Sequence, residues 1–181
     1  DRITDRSLAA IGGKGLFVKE IEDALLKGEI DIAVHSMKDM PAELPDGLKI
    51  ASITKRLDPH DALISRGNLR LSELPIGAVI GTSSLRRKSQ ILNIRPDLMA
   101  VDLRGNLDTR LKKLADGNFD AIVAAAAGLE RMNLKGAITE IIPFEICLPA
   151  AGQGALCIET RGGDARTDEL AGTLNDEEST L

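Results

Sequence analysis

At 181 residues, with 43% hydrophobic and 28% charged side chains, the chain has enough apolar material for one globular domain or two small ones and is not a disordered tail. A net charge of −5, no Trp or Tyr and only three Phe argue against a general nucleic-acid surface and leave almost no stacking platform for bases. No apolar run approaches the ~20 residues of a membrane span and the first residues lack a signal-peptide pattern, so a cytoplasmic setting without membrane contact is the expectation.

The opening "DRITDRSLAAIGGKG" is polar and Gly-rich and offers no strand of its own, so the chain reads as starting in mid-fold. Phe17, Ile21, Ala24 and Leu25 then recur at helical spacing, with Gly28 as a stop. The apolar run Ile30 to Val34 follows and reads as a buried parallel strand. A second stretch, "TRLKKLADGNFDAIVAAAAGLE", repeats the same order of helix, Gly, Asp and apolar strand, matching Gly28 to Gly117 and Asp31 to Asp120. Two related lobes would explain the repeat.

Between them, "ASITKRLDPHDALIS" is an apolar stretch broken by charges and Pro59, with His60 in a linker. A turn over Leu71 to Leu74, a strand over Ala78 to Ile80, and a helix whose first turn holds Thr82, Ser83 and Ser84 come next. "CLPAAGQGALCIE" has the small residues of a crossing strand or hinge, and the tail after it shows helical spacing. Cys147 and Cys157 follow no metal-ligand spacing; both read as reduced, buried thiols, and no metal site is expected.

From Arg86 to Lys113 eight cations face three acids within an acidic chain, which points to an anionic partner. Arg86 and Arg87 follow "GTSS", where backbone amides and hydroxyls already favour anions; Arg104 and Arg110 flank the start of the second repeated helix. Several guanidinium forks suit a polycarboxylate better than a single phosphate. Lys112 and Lys113 read as a solvated helix face. Lys14 in "GGKG" lacks the spacing of a nucleotide-binding loop. Ser36 and Ser84 have no evident relay of His and acid, and His35 reads as a hydrogen-bonded strand residue rather than a base. In open α/β sheets ligands bind beyond the carboxyl ends of strands, which is where Lys38 and Asp39 lie.

The motifs "IGGKGLFVKEIE", "DIAVHSMKDMP", "GTSSLRRKSQI", "LRGNLDTRL", "AAAGLERM" and "LPAAGQGALCIE", in this order, closely resemble the porphobilinogen deaminase (hydroxymethylbilane synthase) family. The resemblance implies an α/β architecture of two lobes, shaped like type II periplasmic binding-protein domains, around a central cleft. The first lobe would hold residues 1–54 and 155–181 and the second 59–148, with hinges near 55–58 and 149–154. It also implies a transferase that joins porphobilinogen into a linear tetrapyrrole with release of ammonia, works as a monomer and uses a covalent dipyrromethane cofactor.

By the family pattern Asp39 is the catalytic carboxylate, protonating the departing amine and stabilising the cationic azafulvene. Lys38, Ser36, Thr82, Ser84, Arg86, Arg87, Arg104 and Arg110 match cofactor-binding positions, and Lys14 and Arg131 substrate-binding ones. The family's first strand and helix would precede Asp1, and its third domain, with the attachment Cys, would follow Leu181. Neither Cys147 nor Cys157 matches that Cys in context, and the chain alone is expected to be inactive. The rival reading is a non-catalytic carboxylate-binding module of the same fold, to which an Asp39 facing the ligand would contribute nothing. An RNA-binding fragment is disfavoured by the missing aromatics.

Overall fold

The structure is a computed structural model that describes residues 15–180. In chain order the elements are α1 (Gly15–Leu26), β1 (Ile32–Ser36), β2 (Leu48–Ile53), β3 (Asp61–Ser65), β4 (Val79–Gly81), α2 (Leu85–Ile94), β5 (Met99–Val101), α3 (Leu107–Ala115), β6 (Ala121–Ala125), α4 (Ala126–Arg131), β7 (Glu140–Ile142), β8 (Leu156–Arg161), α5 (Ala165–Gly172) and α6 (Glu177–Thr180). They divide between two compact units. One is the continuous stretch Asp58–Ala150; the other joins the described residues up to Leu57 to those from Ala151 onward.

The continuous unit is built on a five-stranded sheet in the order β5-β4-β6-β3-β7. β4 runs parallel to β5 and β6, whereas β3 runs antiparallel to β6 and β7. β6 is apolar throughout and β3 is apolar from Ala62 to Ile64, because both faces of these strands are covered. Leu63 and Val123 belong to one core with Leu71, Ile80 and Ile91 of α2, while Ile64 and Ile122 belong to a second with Leu103, Leu114 of α3 and Leu129 of α4.

The discontinuous unit has a three-stranded sheet in the order β1-β8-β2, with both pairings antiparallel. Leu25 of α1 packs on Ala33 and Leu48, and α5 and α6 pack along β2. The sequence suggests that β1 is a buried parallel strand, and the structure corrects this. β1 is an edge strand among the described residues, and it alternates exposed and buried positions. Its apolar composition misleads because Ile32 and Val34 point outward, 48% and 58% exposed, leaving only Ala33 and His35 inside.

The repeated helix-Gly-Asp-strand pattern has the same local physics both times. Gly28 and Gly117 take φ of 73° and 82°, a region that glycine enters without steric cost. Their amides bond to the carbonyls of Leu25 and Leu114, and the next amides, of Glu29 and Asn118, reach back to Ala24 and Lys113. This double closure satisfies the last carbonyls of α1 and α3 and turns the chain toward β1 and β6. A second correction concerns α2. Thr82, Ser83 and Ser84 precede the helix rather than forming its first turn, because Ser84 has extended backbone and serves as the N-cap.

Candidate functional site

β1 ends at Ser36 and passes directly into a single tight turn, Met37–Asp39. The Met37 amide donates to the Ala155 carbonyl at 3.1 Å, continuing the β1–β8 ladder by one bond, and the Met40 amide closes the turn on the Met37 carbonyl at 3.3 Å. Lys38 donates from Nζ to Oε1 of Gln153 at 3.4 Å, and Gln153 is fully buried. Arg56 donates from Nε to the Gln153 carbonyl at 2.8 Å. The turn is therefore seated on the 152–155 segment, with Lys38 half-buried and Ser36 and Asp39 exposed.

In the continuous unit the sequence-derived cations fall into distinct roles. Thr82, buried at the end of β4, accepts the Ser84 amide on Oγ1 at 3.3 Å, and Ser84 accepts the Arg87 amide at 3.5 Å to cap α2. Ser83 both donates to the Leu103 carbonyl and accepts the Leu103 amide, tying the start of α2 to the segment after β5. Arg104 and Arg110 bracket the start of α3 and are half-buried. Arg110 donates from Nε to the Gly105 carbonyl at 2.7 Å. Burial, with the charge of Arg87 adding to it, lowers the proton affinity of Arg110. A counter-anion there is correspondingly favoured.

Arg86 and Arg87 converge on a carboxylate that sequence reasoning missed. Asp61, fully buried at the start of β3, accepts from Arg87 Nε at 3.0 Å and Nη2 at 2.6 Å on Oδ1, and from Arg86 Nη1 at 2.8 Å on Oδ2. The Cys147 thiol donates to Oδ2 at 3.4 Å. Arg87 also donates from Nη1 to the Val123 carbonyl at 3.1 Å, so its fork is committed inside the unit. Arg86, less buried, also donates to the Leu148 carbonyl. The only sequence signal for Asp61 is an acid opening an apolar strand in "HDALIS".

Lys88, Arg95 and Lys113 of this stretch have internal partners. Lys88 pairs with Asp102 at 2.6 Å, and Arg95 pairs with Asp97 while donating to the Leu71 and Leu74 carbonyls. Lys113 donates to the Arg104 carbonyl. Arg131 lies exposed at the end of α4, its proton affinity lowered by desolvation against the opposing charge of Glu130. Lys14 and the glycines before it lie outside the described residues, as does the side chain of Phe17.

Cys147 and Cys157 are free, buried thiols. Burial pushes each up to about 11, reinforced by Asp61 in the first case and Glu159 in the second. Among the described residues no cluster of His, Cys, Asp or Glu could hold a metal ion, and no helix is long and apolar enough to cross a membrane.

Two α/β units, one on a mixed sheet and one on an antiparallel sheet, with hydroxyl and guanidinium donors at strand ends and helix starts, define a fold of the solute-binding class. A periplasmic substrate-binding protein of an ABC transporter from Coxiella burnetii matches with a TM-score of 0.56 at 15% identity, over 88% of this chain and 77% of that one. An ancestral cationic amino acid solute-binding protein matches with a TM-score of 0.55 at 15% identity, over 86% and 66%. These likenesses concern the fold alone.

Residues 1–169 match the family described as porphobilinogen deaminase, dipyromethane cofactor binding domain, and the chain belongs to that family. Proteins named porphobilinogen deaminase are 61% identical over 176 residues in Brevibacillus brevis, covering 97% of this chain and 57% of the relative, and 59% identical over 178 residues in Bacillus subtilis, covering 98% and 57%. The relative from Paenibacillus macerans is 56% identical over 181 residues, covering 100% and 56%. The chain thus spans a little over half the length of these relatives.

Proposed function

We propose that this chain supplies the carboxylate-holding and proton-transferring part of a cytoplasmic, monomeric hydroxymethylbilane synthase, a transferase that joins porphobilinogen units into a linear tetrapyrrole with release of ammonia. The observation that carries the reading is the Lys38–Asp39 turn. An exposed carboxylate stands at the end of a strand, beside an ammonium docked on a buried glutamine, in a chain of this family.

The donor set fits a dipyrromethane group. Its acetate and propionate side chains are planar carboxylates, and the hydroxyls of Ser36, Thr82 and Ser84 and the cations of Lys38, Arg86, Arg104 and Arg110 are complementary to them. Arg110 is half-buried at the start of α3 with its Nε held by the Gly105 carbonyl, which fixes the guanidinium in a set orientation. When bound, the group supplies the primer to which porphobilinogen is joined. Arg87 acts one step removed, holding Asp61, which in turn aims Arg86. Lys14 and Arg131 are assigned to substrate carboxylates. Neither buried thiol serves as the attachment point.

Asp39 has two tasks. It delivers a proton to the departing amine, and its remaining negative charge faces the cation that develops on the substrate as the carbon–nitrogen bond breaks. In the full-length enzyme Asp39→Asn is expected to keep cofactor content and folding while lowering the single-turnover rate about a hundredfold or more. Arg104→Leu is expected instead to lower cofactor occupancy or substrate affinity with the proton-transfer group intact. Near-normal chemistry in Asp39→Asn would refute the assignment and leave the carboxylate-binding reading.

A further inference from the structure

Beneath α1 the discontinuous unit buries a polar cluster that the reaction as described does not use. His35, on the inward face of β1, bonds through Nε2 to Oε2 of Glu159 on β8 at 3.0 Å, and both side chains are almost wholly removed from solvent. Glu159 Oε1 has no hydrogen-bond partner among the described residues, nor has Oε1 of Glu22, a buried residue of α1. Desolvation raises the pKa of Glu159, and the charge of Glu22 adds to the effect while the His35 bond opposes it.

Such a cluster is a poor way to gain stability. A buried hydrogen-bonded pair commonly contributes no more than apolar side chains of similar volume would, and buried oxygens without partners cost more still. Its position suggests a different use. His35 is the last inward-facing residue of β1, one residue before Ser36 and four before Asp39. Opposite it on β8 stands Cys157, so Glu159 is the diagonal neighbour two residues along on the same face. The bond therefore spans the ladder obliquely and resists sliding of β1 along β8. The only other inward residue of β1 is the small Ala33, so His35 is the one long side chain by which this strand grips the layer beneath it.

We propose that His35 and Glu159 are positioning residues for the reaction: their buried bond fixes the end of β1 against β8 and so sets where Lys38 and Asp39 stand. The proposal rests on the assignment of Asp39 above. A turn that begins on the residue after Ser36 inherits any displacement of the strand end. A misplacement of 1 Å at a reacting group costs on the order of a hundredfold in rate.

The test uses the full-length, cofactor-loaded enzyme, with occupancy determined by intact mass before kinetics. His35→Leu is expected to lower kcat per loaded molecule about tenfold or more with KM little changed. His35→Gln, whose amide can still donate to Glu159, is expected to stay within about threefold of the parent. If His35→Leu does not fold, the double replacement His35→Leu with Glu159→Met removes the stranded carboxylate, and it should fold yet remain slow. A folded, loaded Leu variant, single or double, with parental kcat would overturn the proposal and reduce the pair to a packing feature, whatever the change in melting temperature. Asp39→Asn run alongside separates the two levels. If it is slow while the His35 variants are normal, only the positioning role fails; if it is itself normal, the reading beneath fails.

Discussion

Asp61→Ala removes the carboxylate on which Arg86, Arg87 and the Cys147 thiol converge. Arg87 is left with its charge buried and, among the described residues, only the Val123 carbonyl to satisfy it, its side chain 7% exposed. Breaking a buried pair by deleting one partner costs about 3–5 kcal/mol. That is a large share of the ~5–15 kcal/mol that holds a typical protein folded. For a chain of this size each kcal/mol moves the melting temperature by about 2–4 °C, so Asp61→Ala should melt about 6–20 °C below the parent. Asp61→Asn keeps an acceptor oxygen and the volume, and should lose less, about 1–3 kcal/mol. Differential scanning calorimetry and urea denaturation measure both. A second readout follows from the thiol: the charge and hydrogen bond of Asp61 help hold Cys147 protonated, while Arg86 and Arg87 pull the other way. Asp61→Asn should therefore make Cys147 easier to ionise and faster to alkylate. An Asp61→Ala protein melting within 2 °C of the parent (below the ~6 °C floor derived above), with unchanged thiol reactivity, would show that the two guanidinium groups do not depend on this carboxylate.

The parent thiols supply a pH prediction. Both have pKa values of about 11 in the folded chain against an ordinary 9.0, so the stability they confer is complete below pH about 9 and is lost as pH rises through about 11. At pH 8, mass spectrometry after iodoacetamide treatment should find both unmodified until denaturant is added. Gly154→Ala should destabilise well beyond the ~1 kcal/mol of left-handed strain, because an added Cβ would stand 2.5 Å from the Leu57 carbonyl oxygen at φ 97°. Gly28→Ala, at φ 73° with open space around the added atom, should show the strain alone. Equal urea midpoints for the two variants would contradict the close approach.

What could be read from the sequence was what depends on near neighbours. The helix-Gly-Asp-strand units were legible because the left-handed glycine, the amphipathic helix before it and the apolar strand after it lie within about one helix length of each other. His35 as a hydrogen-bonded strand residue was legible too, since a lone polar residue among apolar ones needs a partner. The partner itself, 124 positions away, was not. Asp61 stayed hidden for the same reason: its cations follow 25 and 26 positions later and its thiol 86. The alternation of β1 was masked by composition, since Ile32 and Val34 look like core residues until the ladder with β8 assigns the inward face, among the described residues, to Ala33 and His35. At Thr82 to Ser84 the preference for small hydroxyl residues was read correctly but placed a turn too late in the helix, a boundary that only the extended backbone of Ser84 settles.

The order of strands in the smaller sheet also sets an order in time. β1 and β2 are separated only by the stretch 37–47, yet they do not pair; among the described residues each bonds to β8 alone, which is made about a hundred residues later. The stretch from Asp58 to Ala150, by contrast, contains every strand of its own sheet. During synthesis that inserted stretch can close first, while β1 and β2 wait on either side of an empty place for the strand that joins them. Contacts so distant along the chain are slow to form, and until β8 arrives two strand edges stay open to wrong partners. The turn that carries Asp39 can take its seat only once the 152–155 segment on which it rests has been made.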